Sequence, residues 1–236
     1  MATPAQQAFR LTGADGRPLS GDVKRAAGNR PAVVICRGRE TCKDWGGLPY
    51  LGDRLARAGF AAVSFTYSGS GIRADVRDLE VLLGALSSGS LGLRPTAYGL
   101  MGHGLGGGLA VLGAAQDERV GGLVTWATVA RLDRVTAPPL DGDMPHELEA
   151  HSETTLDFVR RAGRVRAPWL IVHGAADEFV PVGDAHEFRR AARHAELLVV
   201  ADTGHTFGAR HPWAGSTPSL DRVVQATLDW FARHLT

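Results

Sequence analysis

Cysteine is scarce: Cys36 and Cys42 are the only two in 236 residues. They form neither a disulfide framework nor a metal-ligand pattern, and nothing else in the chain calls for a metal or an organic cofactor. A surplus of one charge is also lacking. Lys and Arg total 26 against 25 Asp and Glu, a net charge of +1, which gives no electrostatic case for nucleic acid or an anionic membrane. The N-terminus, MATPAQQAFR, has no charged region followed by an apolar core, so no signal peptide is evident and a cytoplasmic location is the expectation. The uncharged stretch 98–115 approaches the length of a membrane span when His103 is neutral. Its glycines cluster at a turn signal, however, and it reads as a soluble turn. No internal repeat or low-complexity tract is present.

What is there is ordinary for a soluble globular protein: 44% apolar and 22% charged residues. The length suits one domain over 1–236 with a full core. A hairpin is expected over 9–26, FRLTGADGRPLSGDVKRA, with its turn at Gly-Ala-Asp-Gly. Continuous apolar runs predict buried strands at 30–36, 60–67, 97–103, 120–129, 167–174 and 195–202. Between them, helical patterns cover 48–59, 72–88, 105–116, 155–165, 182–194 and 219–235. The alternation predicts an α/β fold: a mostly parallel sheet flanked by helices on both faces. Only 131–155, polar and rich in Pro and Asp, interrupts it as a short surface excursion.

Sheets of this kind place ligands beyond the carboxyl ends of their strands. Four loops therefore matter: those after Cys36, Met101, Val172 and Val200. Gly102-His103-Gly104-Leu105-Gly106 follows a strand and opens a helix, the context of a G-x-S-x-G nucleophile elbow. Its central residue is Gly104, which has no side chain to attack anything. Asp177, in HGAADEFVP, and His205, in ADTGHTF, follow later strands. Elbow, acid and histidine come in the chain order of an α/β-hydrolase triad.

On these segments the chain resembles the α/β-hydrolases of the dienelactone hydrolase and serine esterase or peptidase group. The resemblance is carried by KDWGGLPYLGDRLARAGFAAVSF, GLMGHGLGG, WLIVHGAADEFVPVGDA and ADTGHTFGARHPW, spread over nearly the whole chain. It implies an α/β-hydrolase fold in which His205 is the general base and Asp177 orients it. The oxyanion hole then comes from the backbone N–H groups of Leu105 and Arg39. Three features depart from the family pattern: Gly104 stands at the nucleophile position, the loop after the third strand begins Arg37-Gly38 instead of His-Gly, and the 131–155 excursion is short for a lid.

Without a hydroxyl there is no acyl-enzyme, and loss of a triad serine typically removes about a millionfold in rate. Three readings stay open. The chain is a repurposed enzyme whose His205–Asp177 dyad performs elimination, cyclisation or water-activated hydrolysis without covalent catalysis, a serine hydrolase silenced by a Ser-to-Gly substitution at 104, or a non-catalytic binding protein. The substrate expected for the first is a small carbonyl compound. Arg37 and Arg39 suit an anionic group on it, unless they are solvated or paired with Glu40 or Asp44. His103 is a further candidate for substrate contact, with a structural role as the alternative. Cys42 is a substitute nucleophile with little to activate it, while Cys36 is expected to pack in its strand. His173 is expected to shape the acid loop, and Trp45, Tyr67, Trp126 and His211 are candidates for either pocket wall or core. Oligomeric state is left open.

Overall fold

The computed structural model describes residues 4–25, 30–38, 45–68, 71–131 and 157–235. They form an eight-stranded sheet in the order β1-β2-β4-β3-β5-β6-β7-β8. The hairpin β1 (Ala5–Thr12) and β2 (Pro18–Arg25) occupies one edge, and β2 runs antiparallel to β4 (Ala61–Thr66). From β4 onward every pairing is parallel, through β3 (Ala32–Cys36), β5 (Tyr98–His103), β6 (Val120–Trp126), β7 (Trp169–Gly174) and β8 (Glu196–Val200). The mostly parallel α/β architecture expected from the alternation is therefore the one the chain adopts.

Two apolar layers explain why the strands read as unbroken apolar runs. Successive residues of β3 point to opposite faces: Ala32, Val34 and Cys36 join one cluster, Val33 and Ile35 the other. The first layer is closed by α2 (Ile72–Ser88), α3 (Leu105–Gln116), α4 (Phe158–Ala162) and α5 (Val182–Ala191). The second is closed by α1 (Leu48–Arg57) and α6 (Pro218–His234). In α1 the buried positions are Leu48, Leu51, Gly52, Leu55 and Ala56, a stripe at helical spacing. By contrast, α3 is buried continuously from Gly106 to Ala114, as befits a helix apolar on every side. At the start of α6 the Thr217 hydroxyl accepts the Leu220 N–H and Pro218 fills the first turn.

The boundaries differ from expectation in three places. The strand expected over 120–129 stops at Trp126, because Ala127 turns to φ 46° while its N–H donates to the Val172 carbonyl. The helix expected over 182–194 ends at Ala191, where a turn from Ala192 to Ala195 buries both alanines and starts β8. In the stretch expected as a helix over 155–165, the described helix is only Phe158–Ala162. The excursion 131–155 lies outside the described residues except for Arg131, which bridges to Asp157. Among the described residues no helix is long and apolar enough to cross a membrane.

Candidate active site

Gly104 joins β5 to α3 with φ 57° and ψ −123°, a conformation that costs an L-residue about 1–2 kcal/mol. Its N–H donates to the Trp126 carbonyl at 2.9 Å, and its own carbonyl accepts the Gly107 N–H at 3.1 Å. The turn is thus an elbow in backbone geometry as well as in sequence. A Cβ placed on Gly104 lies 3.4 Å from His205 Nε2 and 3.7 Å from Cε1, with no other non-neighbouring atom of the described residues within 4 Å. Leu105 opens α3, so its N–H has no intrahelical acceptor. Two turns of backbone meet behind it: a side chain at Gly106 would overlap the carbonyl oxygens of Cys36 and Arg37.

Opposite the elbow, the loop after β8 carries His205 and the loop after β7 carries Asp177. His205 Nδ1 lies 2.9 Å from Asp177 Oδ2, so Nδ1 holds the proton and Nε2 presents a lone pair on the Gly104 side. The other carboxylate oxygen accepts the N–H groups of Phe179 and Val180, each at 2.9 Å. The Asp177 side chain is fully enclosed, whereas His205 keeps 17% of its side-chain surface exposed. Burial alone pushes the Asp177 carboxyl upward, but hydrogen bonds from His173 and His205, with the Val180 N–H, outweigh it and hold the group well below the usual carboxylate range. The structure therefore brings Gly104, Leu105, Asp177 and His205 together.

The remaining candidates fall into place around them. His103 is buried, and its Nε2–H donates to the His205 carbonyl at 2.9 Å. Its ring lies 4.6 Å from that of His205, with Trp45 stacked at 6.3 Å. Burial, aided by the nearby His205, lowers its pKa to about 3, so it stays neutral. This position supports the His205 loop, and a small cavity bounded by Trp45, His103, Trp126 and Phe207 lies beside it. Arg37 is only 7% exposed; its guanidinium sits 5.2 Å from the centre of the Tyr67 ring and donates to the Gly38 carbonyl. Cys36 is buried, and burial pushes its thiol up to about 12 despite a hydrogen bond with Tyr67, consistent with packing in its strand. Arg39 and Cys42 lie outside the described residues. His173 hydrogen-bonds Val180 O at 2.9 Å and so shapes the acid turn, as expected. Trp126 and Tyr67 are core, Trp126 donating to Thr227 Oγ1 at 3.0 Å. His211 stacks with Trp45 and accepts the Gly46 N–H at 3.4 Å.

The model of the dienelactone hydrolase family matches residues 76–235, which include the elbow, the acid and the histidine. The chain belongs to the dienelactone hydrolase family. Solved structures agree on the fold. Est1E from Butyrivibrio proteoclasticus is 18% identical with a TM-score of 0.75, over 96% of this chain and 98% of that one. Dienelactone hydrolase from Anabaena variabilis is 18% identical with a TM-score of 0.73, over 100% of both chains. The α/β hydrolase GrgF from Penicillium is 16% identical with a TM-score of 0.78, covering 98% of this chain and 99% of that one. No curated protein matches the sequence.

Within this dienelactone hydrolase-family chain, sequence reasoning missed one neighbour of the site and one buried charge near Tyr67. Phe179 sets its ring edge-on to His205 at 5.6 Å. Its position two residues after Asp177, in the turn whose N–H groups the carboxylate binds, was the available signal. Asp75, fully buried in the first turn of α2, has no counterpart in the motif pattern.

Proposed function

We propose that this chain is an acid–base enzyme in which His205, oriented by Asp177, moves a proton on a small carbonyl substrate without a covalent acyl intermediate. The supporting observation is the pairing of an intact, fully hydrogen-bonded acid–histidine dyad with an elbow that presents no side chain. The His205 Nε2 lone pair faces the space above Gly104, where a substrate C–H, a substrate hydroxyl or a water fits. Elimination, cyclisation and water-activated hydrolysis each need that base, plus a donor for the charge that develops on oxygen. In this reading Leu105 N–H is one such donor, and the second is the Arg39 N–H that the family resemblance supplies. His103 holds the His205 main chain.

The test is turnover of a panel of small lactones and activated esters by the wild-type chain and a His205→Ala variant. Conversion falls about 10²–10⁴-fold in the variant, and the mass of the intact wild-type protein stays unchanged during turnover. Equal conversion by both proteins, or an acyl adduct on the wild type, overturns the reading. Ligand binding without any turnover makes the chain a binding protein instead.

One observation favours a second reading, a serine hydrolase silenced at residue 104. A Cβ at that position stands 3.4 Å from Nε2, so a serine hydroxyl there comes within reach of the base. A one-equivalent burst from p-nitrophenyl acetate in Gly104→Ser, with no turnover of any substrate by the wild type, replaces the first reading with this one.

A further inference from the structure

Asp177 Oδ2 faces two histidines: it accepts from Nδ1 of His205 at 2.9 Å, and Nε2 of His173 stands 3.3 Å away. We propose that His173 is a positioning residue for the base, setting the strength of the His205–Asp177 hydrogen bond by competing for the same carboxylate oxygen. The proposal rests on reading His205 and Asp177 as the acid–base pair.

His173 lies in β7 opposite Val199 of β8, and its side chain is fully enclosed. Its Nε2 faces two groups that only accept, the Val180 carbonyl at 2.9 Å and Asp177 Oδ2 at 3.3 Å. Nε2 therefore carries the proton and shares it between them. Nδ1 is then a bare acceptor, and it makes no hydrogen bond among the described residues. The other tautomer would place a lone pair against two oxygens.

The carboxylate is thereby saturated. Oδ1 takes the Phe179 and Val180 N–H groups, Oδ2 takes the His205 N–H and faces the His173 N–H at 3.3 Å, so four N–H groups surround about four lone-pair sites. Three of the four come from residues 173–180, so the acid is oriented by its own strand and turn before His205 is counted. The two N–H bonds on Oδ1 prevent rotation if His173 is lost. What changes instead is electron density at Oδ2, which then serves His205 alone. A base whose partner is partly engaged elsewhere is held in one tautomer without being bound to it at full strength.

The test uses solution NMR of the full chain labelled with ¹⁵N-histidine, following the low-field Nδ1–H resonance of His205, assigned by its disappearance in His205→Ala. In His173→Phe that resonance moves further downfield and exchanges with water more slowly. His173→Leu, a smaller replacement, provides the same reading should the phenylalanine variant not fold. His173→Gln, which restores a donor toward Oδ2, brings the resonance back toward its wild-type position. An unchanged resonance in a folded Phe or Leu variant overturns the proposal. Because no substrate is needed, the two inferences fail separately. A shifted resonance with turnover independent of His205 removes only the proposed function, and an unchanged one with His205-dependent turnover removes only this proposal.

Discussion

The two sides of the site are built from different materials. On the β7–β8 side the chemistry lies in side chains: Asp177, His205, His173 and His103 are joined by polar contacts of 2.9–3.3 Å and are mostly buried. On the β5–α3 side it lies in backbone: Gly104 at φ 57° and the Leu105 N–H that opens a helix without an intrahelical acceptor. A side-chain network depends on every member, since each buried donor left without an acceptor is costly. A backbone turn tolerates the loss of its side chain. The contrast explains how an elbow can persist in shape with glycine at its centre while the opposite wall retains a complete acid–histidine pair.

The strongest way to break the comparison is to remove the hub of the side-chain wall. Asp177→Ala leaves two N–H groups and the His205 imidazole donor without their acceptor, and should destabilise the fold by about 3–5 kcal/mol in denaturant titrations. If the loss is below about 1 kcal/mol, the network is looser than its geometry. Acid comes next. Both His103 and Asp177 have folded pKa values below their ordinary ones. Each therefore binds protons more readily when unfolded, and stability falls as pH drops. For His103, shifted from 6.5 to about 3, the loss at pH 5 relative to pH 7 is about 2 kcal/mol. It should vanish in His103→Asn, while the Asp177 contribution disappears only below about pH 4.

On the backbone wall smaller effects are expected. Gly104→Ala adds only a methyl in ordinary contact with His205 and should cost about 1–2 kcal/mol, from the positive φ alone. A larger cost signals a steric conflict that the 3.4 Å separation does not show. The smallest effect belongs to Phe179→Leu, which removes an edge-on ring contact with His205 worth about 0.5–1 kcal/mol. Thermal unfolding resolves it from a null result.

The buried strands and the four strand-end loops were legible because each buried strand is an unbroken apolar run and parallel sheets put their ligand loops at one edge. Gly104, Asp177 and His205 could be placed on that edge for the same reason. Arg37 could not. Whether an arginine after a strand projects outward or folds under Tyr67 depends on packing against a residue thirty positions away. The strand at 120–129 was overread for a similar cause: nothing in Ala-Thr-Val signals that Ala127 adopts φ 46° to reach the Val172 carbonyl. The shared oxygen of Asp177 was equally hidden, since His173 and His205 are brought to one atom only by the pairing of β7 with β8.

The close approach at Gly106 constrains how this protein can change over time. With the Cys36 and Arg37 carbonyls pressed against its α-carbon, the elbow and the end of β3 have no slack between them. Any side chain at 106 would push the helix N-terminus away from the strand and misaim Leu105. Variation in what the site accepts must then enter from the other wall and the loops above it. The site resembles a vice with one fixed jaw, and adaptation is confined to the jaw that carries His205.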